Sequence, residues 1–377
     1  MTILTIYFCG TGSNKFDDSH ANYWNGELVS TLATHNSGKE FAEWVIIDGP
    51  GSGNLQSDEM WVKSGEYSQL RGQITGEGWK ENIQHALHII KGNFDWQREK
   101  LTKENYDQLK KAGVPIQDVE VEGSFWWRKY DYGDRKVTQQ QLQQQIIKTY
   151  RKGQILPTQI NLVGWSRGGI SCHMLANAML EDPLLTTIPV NIFAIDPVPG
   201  MGNFQSEKVT LGNNVREYVA FYAKDERSKG FSCVIPQTHR STVVHIYPMA
   251  GRHATLVGNA SVNGDKGDKV LYEPGTIVRH LAEACLKRWG VAHVKTLNLT
   301  DAKLLELHQG IAANAALYNQ MHDYSYLWFT EKDQGERYVS CASTGAPFSS
   351  VRGERFSPQA GLASDFLADN SVYDAIK

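Results

Sequence analysis

The segment Gly164-Trp165-Ser166-Arg167-Gly168 constrains the fold of this chain more than any other feature. It follows residues 159–163, which have the length and apolar character of a buried strand. Beyond it, Ile170, Met174 and Ala178 are spaced four apart, as on a helix. A sharp turn between strand and helix strains the serine, and it needs the glycines because neighbouring Cβ atoms would collide there. The pattern predicts a nucleophile elbow formed by Gly164, Ser166 and Gly168, with Ser166 as the catalytic serine. An ordinary glycine-rich turn is the alternative.

Strand-like and helical segments alternate along most of the chain. Apolar runs predict strands at 3–8, 44–47, 190–195, 218–223 and 243–247. Helical spacing predicts helices at 27–33, 79–90 and 277–289, and one helix from about 302 to 321. This order predicts an α/β fold with a mainly parallel sheet covered on both faces by helices. We expect a catalytic core over 1–275, with a helical and aromatic insertion at about 92–150 that could act as a lid. A mainly helical extension over 276–377 would pack on this core.

Composition and charge exclude several classes of protein. The net charge of -3 and the lack of a dense Lys/Arg cluster give no reason to expect nucleic acid as a partner. The first residues lack the basic and apolar regions of a signal peptide, and no run of about 18 apolar residues predicts a membrane span. We therefore expect synthesis in the cytoplasm without a classical signal peptide. The five cysteines have no zinc-ligand spacing, so no metal site is predicted from them.

Two acids and one histidine follow later strands and complete a candidate triad. Asp196, Asp225 and His253 each come after a predicted strand, at the sheet edge where open α/β folds keep their active sites. His253 would take the Ser166 proton as general base, and a carboxylate would orient the imidazole. We favour Asp196 as the acid and keep Asp225 as the alternative. Structural alternatives also stay open, since Asp196-Pro197 is a common turn and Asp225 lies in a charged loop.

The loop after the first strand is suited to stabilise charge on a substrate oxygen. An oxyanion hole in this fold uses the backbone N–H after the nucleophile, here that of Arg167, together with an N–H from an early loop. Gly10-Thr11-Gly12 lies in such a loop, so Thr11 and Gly12 are the candidates. A phosphate-binding loop is the alternative, but the segment lacks the second glycine and the Lys-Ser/Thr pair of a P-loop.

Several separated motifs together resemble one family, the α/β-hydrolases of the uncharacterised-domain group that includes type VI secretion phospholipase effectors. The matching segments are 8–15, 47–53, 76–83, the elbow 164–168, and the short segments 196–198, 225–227 and 251–253. The chain departs from the family pattern at Cys9, where the family has an aspartate, and at residues 254–258 after the candidate histidine.

The resemblance implies Ser166, Asp196 and His253 as the triad, and a phospholipid or another fatty acyl ester as substrate. It also implies a toxin effector secreted by a non-classical route, with an immunity protein as partner. Five tryptophans could form a lid or contact a bilayer surface: Trp24, Trp61, Trp79, Trp126 and Trp127. No cofactor is expected; the loop at 263–268 has oxygen ligands for calcium but is more typical of a plain turn. The alternatives are an esterase or amidase for a soluble substrate, and a non-catalytic binding protein of the same fold.

Overall fold

The computed structural model describes ten stretches of the chain: 2–40, 42–50, 79–92, 156–200, 202–228, 230–264, 270–324, 337–340, 346–347 and 370–377. Apart from Gly92, the insertion expected at about 92–150 lies outside these residues. The described strands are β1 Ile3–Phe8, β2 Trp44–Ile47, β3 Gln159–Trp165, β4 Val190–Ile195, β5 Thr210–Leu211, β6 Val215–Ala223, β7 Cys233–Val234, β8 Gln237–Thr238, β9 Val243–Met249, β10 Tyr338–Ser340 and β11 Ala346–Pro347.

Six of these strands form one central sheet in the order β2-β1-β3-β4-β6-β9. All five neighbouring pairs are parallel. The predicted α/β class and parallel sheet are therefore confirmed. β2 lies on one side of β1, and the strand that follows β2 in this sheet, β3, lies on the other side of β1. The loops after β1 and β3 therefore lead in opposite directions. Open α/β sheets bind ligands at such a switch point, outside the carboxyl ends of the strands.

The described helices are α1 Leu28–Thr34, α2 Trp79–Lys91, α3 Arg167–Glu181, α4 Ser206–Val209, α5 Glu273–Arg288, α6 Asp301–Ala313 and α7 Ala315–Gln320. The single helix predicted from about 302 to 321 is wrong, because α6 ends and α7 begins around Asn314. At this break the Asn314 side chain and the Asn314 backbone amide both donate to the Gly310 carbonyl, at 3.1 Å and 3.0 Å, so the side chain competes with the backbone for one acceptor. The predicted boundary at 275/276 falls within α5, and the division into a core and an extension stays a prediction.

Helices cover both faces of the sheet because alternate strand residues point to opposite sides. In β1, Leu4, Ile6 and Phe8 belong to the core that includes residues of α2 and α3. Tyr7 belongs to the opposite core, with residues of α1, α5 and α6. Full burial of each such side chain contributes about 1.5–3 kcal/mol. Among the described helices, none has the length and apolar character needed to cross a membrane.

Candidate active site

Ser166 occupies the turn between β3 and α3 in a conformation that L-residues rarely adopt. Its φ is 59° and its ψ is -126°. The turn is held by the Ser166 amide, which donates to the Ile195 carbonyl at 3.0 Å, and by the Val198 amide, which donates to the Ser166 carbonyl at 3.3 Å. The serine side chain does not cap α3. The hydroxyl is therefore presented at the N-terminus of a 15-residue helix, where the helix dipole favours negative charge.

Two elbow glycines are required by close backbone contacts. A Cβ on Gly164 would lie 2.2 Å from the Gly168 carbonyl oxygen. A Cβ on Gly168 would lie 2.2 Å from the carbonyl oxygen of Phe8, at the end of β1. Because backbone atoms cannot rotate away, only glycine lets the first turn of α3 pack against both β3 and β1. This packing fixes the elbow relative to the loop that follows β1.

Asp196 and His253 form a buried pair at the same edge of the sheet. Oδ2 of Asp196 lies 2.5 Å from Nδ1 of His253, and the two residues retain only 0% and 4% of their accessible surface. Asp196 directly follows β4, and the last β4 residue is in register with the residue before Ser166. The His253 ring also packs on the Trp165 ring, with centroids 5.2 Å apart. A carboxylate on Nδ1 leaves Nε2 for proton transfer, as general-base chemistry requires.

A buried arginine balances the Asp196 charge. The Arg337 guanidinium contacts both carboxylate oxygens, Nη1 to Oδ1 at 2.6 Å and Nη2 to Oδ2 at 3.0 Å. The Ala223 amide donates to Oδ1 at 3.1 Å. Burial by itself would raise the pKa of Asp196, but the Arg337 charge and the His253 hydrogen bond outweigh it and hold that pKa below its usual range. Asp196 is thus kept as a carboxylate facing His253.

Asp225, the alternative acid, is engaged elsewhere. Its Oδ2 accepts from the Gly251 amide at 2.8 Å, and its Oδ1 lies 2.9 Å from Nε2 of His322. The next residue, Glu226, accepts from the His253 backbone amide at 3.1 Å. These two buried acids hold the loop that carries the histidine, while the carboxylate in contact with the imidazole is that of Asp196.

The first loop meets the elbow through the Arg167 side chain. Its Nη1 donates to Oγ1 of Thr11 at 3.2 Å, and its Nε lies 3.5 Å from the Pro199 carbonyl. Burial lowers the pKa of this guanidinium to about 10. The Gly12 amide donates to the Pro50 carbonyl at 3.0 Å and is already used in this structure. Of the three amides expected to form the oxyanion hole, those of Thr11 and Arg167 therefore remain as candidate donors.

The structure describes two of the five tryptophans expected at a lid or bilayer surface, and only part of the candidate calcium loop. Trp79 is buried at the start of α2 and donates to Oγ of Ser171 at 2.7 Å, so it belongs to the core and cannot meet a bilayer. Trp24 is 38% exposed and stacks on Tyr272. The other three tryptophans and residues 265–268 of the candidate calcium loop lie outside the described residues. Within the described ranges, no group of His, Cys, Asp and Glu side chains could hold a metal ion.

Two residues of this site were missed by the reasoning from sequence. Glu226 was identified from sequence only as part of the motif at 225–227. Its position next to the candidate acid Asp225 was the one signal that it could lie near the site. Arg337 lies 141 residues from Asp196, and no local pattern marks it. The arrangement as a whole is a strained serine at the same sheet edge as a buried imidazole–carboxylate pair, and such groups can support nucleophilic acyl transfer.

No protein-family model matches the chain, and no curated protein matches it. One similar solved structure is an uncharacterized protein from Pseudomonas aeruginosa, at 14% identity and a TM-score of 0.39, covering 97% of this chain and 50% of that one. Another is a Tle1 effector bound to the VgrG spike from the type 6 secretion system, at 12% identity and a TM-score of 0.31, covering 68% of this chain and 50% of that one. The chain thus aligns with half the length of each of these proteins.

Proposed function

We propose that this protein is a serine carboxylester hydrolase of the phospholipase type. The observation that carries the proposal is the buried Asp196–His253 hydrogen bond, at the strand end beside the strained Ser166. Backbone strain of the kind seen at Ser166 costs about 1–3 kcal/mol. Such strain is concentrated at active sites, where the surrounding structure holds the residue in place. Neither the strain nor the burial of an ionic pair is needed for a simple turn.

The proposed reaction proceeds through an acyl-enzyme. Ser166 Oγ attacks the ester carbonyl carbon while Nε2 of His253 accepts the hydroxyl proton. The backbone amides of Thr11 and Arg167 would stabilise the oxyanion, together with the N-terminus of α3. The tetrahedral intermediate collapses as His253 returns the proton to the leaving alcohol. Water then attacks the acyl-enzyme, again through His253, and releases the fatty acid and free Ser166.

For the substrate, we propose a phospholipid or another fatty acyl ester, and for the biological role a secreted toxin effector with an immunity protein as partner. The support is the resemblance of the separated sequence motifs to phospholipase effectors. The exposed Trp24, stacked on Tyr272, provides an amphipathic aromatic surface suited to peripheral membrane contact. A preference for soluble esters would instead favour the alternative esterase.

A hydrolysis assay tests the proposal. Wild-type protein is mixed with vesicles of phosphatidylethanolamine and phosphatidylglycerol, and separately with a short-chain p-nitrophenyl ester, and fatty acid or phenol release is followed. We expect vesicle hydrolysis that Ser166→Ala abolishes and that Ser206→Ala, at an exposed serine that starts α4, leaves unchanged. Turnover of the soluble ester alone would support the alternative esterase. Undiminished turnover by Ser166→Ala would exclude Ser166 from the reaction.

A further inference from the structure

Arg337 contacts the Asp196 carboxylate and two backbone carbonyls close to the Asp196–His253 pair. Besides both Asp196 oxygens, it reaches the Ala223 carbonyl at the end of β6, 2.5 Å from Nη1. Its Nη2 donates to the Phe231 carbonyl at 2.8 Å, and the Phe231 ring packs edge-on against the His253 ring. Arg337 therefore links the acid, the end of a central strand and an aromatic wall of the imidazole.

The fold holds Arg337 in this place through a second, small sheet. β10 starts directly after Arg337 and pairs in parallel with β7, with Val339 in register with Cys233. β7 is tied back to the active-site edge, because the Val234 amide donates to the Pro197 carbonyl at 2.9 Å. Arg337 as a residue is 4% exposed. A buried guanidinium with this many partners is fixed in orientation, unlike a surface arginine.

Charge around the imidazole gives Arg337 a second effect. The carboxylates that face His253 or its backbone are those of Asp196 and Glu226, and Asp225 holds the same loop. Among the described basic groups, Arg337 contacts the Asp196 carboxylate and His322 pairs with Asp225. Arg252 precedes His253 in the chain, and its guanidinium lies over the Tyr324 ring. His253 and Arg337 both contact Oδ2 of Asp196, so the guanidinium lies close to the imidazole. Its positive charge therefore offsets the Asp196 charge at the carboxylate oxygen that faces the imidazole.

We propose that Arg337 is a positioning residue of this active site: it fixes the Asp196 carboxylate against His253 and offsets its charge, so that the C-terminal region completes the catalytic machinery. This inference rests on the proposed serine hydrolase function. A lysine at 337 keeps the charge but cannot hold two carboxylate oxygens and two carbonyls at once. A methionine fills a similar volume without any charge.

The test is the rate of inactivation by a fluorophosphonate, measured against pH. This reaction needs Ser166 with a neutral histidine and no natural substrate. We expect Arg337→Met to slow labelling by up to about 100-fold at the plateau, because the Asp196 carboxylate is no longer held in place and a misplacement of about 1 Å can cost that much. Uncompensated carboxylates then stabilise the imidazolium, so the pH of half-maximal labelling moves up by about one unit. Arg337→Lys should slow labelling, with a smaller movement of that midpoint.

Arg279→Met is the matched control. Arg279 is also buried and ion-paired, to Glu283 within α5 at 2.9 Å, but it has no contact with the triad residues among its described bonds. We expect it to lose stability while keeping the wild-type midpoint. An unmoved midpoint in Arg337→Met would overturn the inference. If Arg337→Met does not fold, a wild-type rate in Arg337→Lys would overturn it.

Labelling of the wild-type protein distinguishes failure of this inference from failure of the proposed function. Wild-type protein that reacts at Ser166, combined with Arg337 variants that behave as wild type, would refute the role of Arg337 alone. Wild-type protein that does not react would refute the proposed function and, with it, the inference.

Discussion

Replacing Gly168 by alanine tests whether the elbow is held by backbone packing. The new Cβ would lie 2.2 Å from the Phe8 carbonyl oxygen and 2.6 Å from that of Cys9. Carbon–oxygen contacts are ordinarily about 3.3–3.6 Å, so α3 must move by about 1 Å away from β1. Alanine gains about 1 kcal/mol in helix propensity, and overpacking of a tight site costs about 1–3 kcal/mol or more. We expect a net loss of stability, and a loss of about 100-fold in reactivity because Ser166 is displaced.

Gly169→Ala is the control for this change, because it is also in the first turn of α3 and has the same propensity gain. Its Cβ would lie 3.0 Å from Cβ and 3.2 Å from Cα of Pro197, and 3.4 Å from the Gly164 carbonyl oxygen. These contacts are tight, but they need shifts of only a few tenths of an ångström, against about 1 Å for Gly168→Ala. Fluorophosphonate labelling rate and urea unfolding are measured for both variants. We expect Gly169→Ala to stay within a few-fold of wild type in rate. Wild-type rate and stability in Gly168→Ala would refute the packing argument.

Three further changes test other parts of the account. Asp196→Asn should lower kcat/KM by about 10⁴ through the wrong imidazole tautomer, and it should destabilise the fold by leaving Arg337 unpaired; activity near wild type would contradict this. Burial raises the pKa of Glu27 to about 7 despite its hydrogen bonds to α1. The native state thus holds this proton more tightly than the unfolded state, and the free energy of unfolding should fall by up to about 3 kcal/mol between pH 4.5 and 7. Urea titrations should show that Glu27→Gln removes this fall, and an equal slope in both proteins would be the contrary result. Tyr373 is fully buried and its hydroxyl lies 3.2 Å from Nε2 of His308, so Tyr373→Ala should lower unfolding free energy by about 3–5 kcal/mol. A cost below about 1 kcal/mol would mean that the C-terminal residues are not docked.

The central sheet could be predicted because its strands are buried on both faces. Such strands are nearly continuous apolar runs, as at Ile3–Phe8 and Val190–Ile195, and they stand out from amphipathic helices such as Trp79–Lys91. The elbow could be located because its glycine spacing reflects a local steric requirement. The predicted triad residues follow strand ends, and parallel strands bring such ends to one edge.

Interactions between distant segments could not be predicted in this way. The Arg337–Asp196 pair depends on the β7–β10 pairing, and two- or three-residue strands carry no periodic signal. The break at Asn314 was hidden for another reason. Buried Leu307, Ile311, Tyr318 and Met321 keep a helical spacing through the break, so the apolar pattern alone indicates one helix. The engagement of the Gly12 amide by Pro50 is likewise a tertiary contact.

The most direct test of the account is peptide mass spectrometry after fluorophosphonate treatment of native and heat-denatured protein. An activated serine requires the folded arrangement of Ser166, His253 and Asp196, whereas an unactivated hydroxyl is a poor nucleophile in either state. The account predicts a single adduct on Ser166 in the native protein and none after denaturation. No adduct on the native protein, with detergent present to admit the reagent, would contradict it and favour a non-catalytic binding protein.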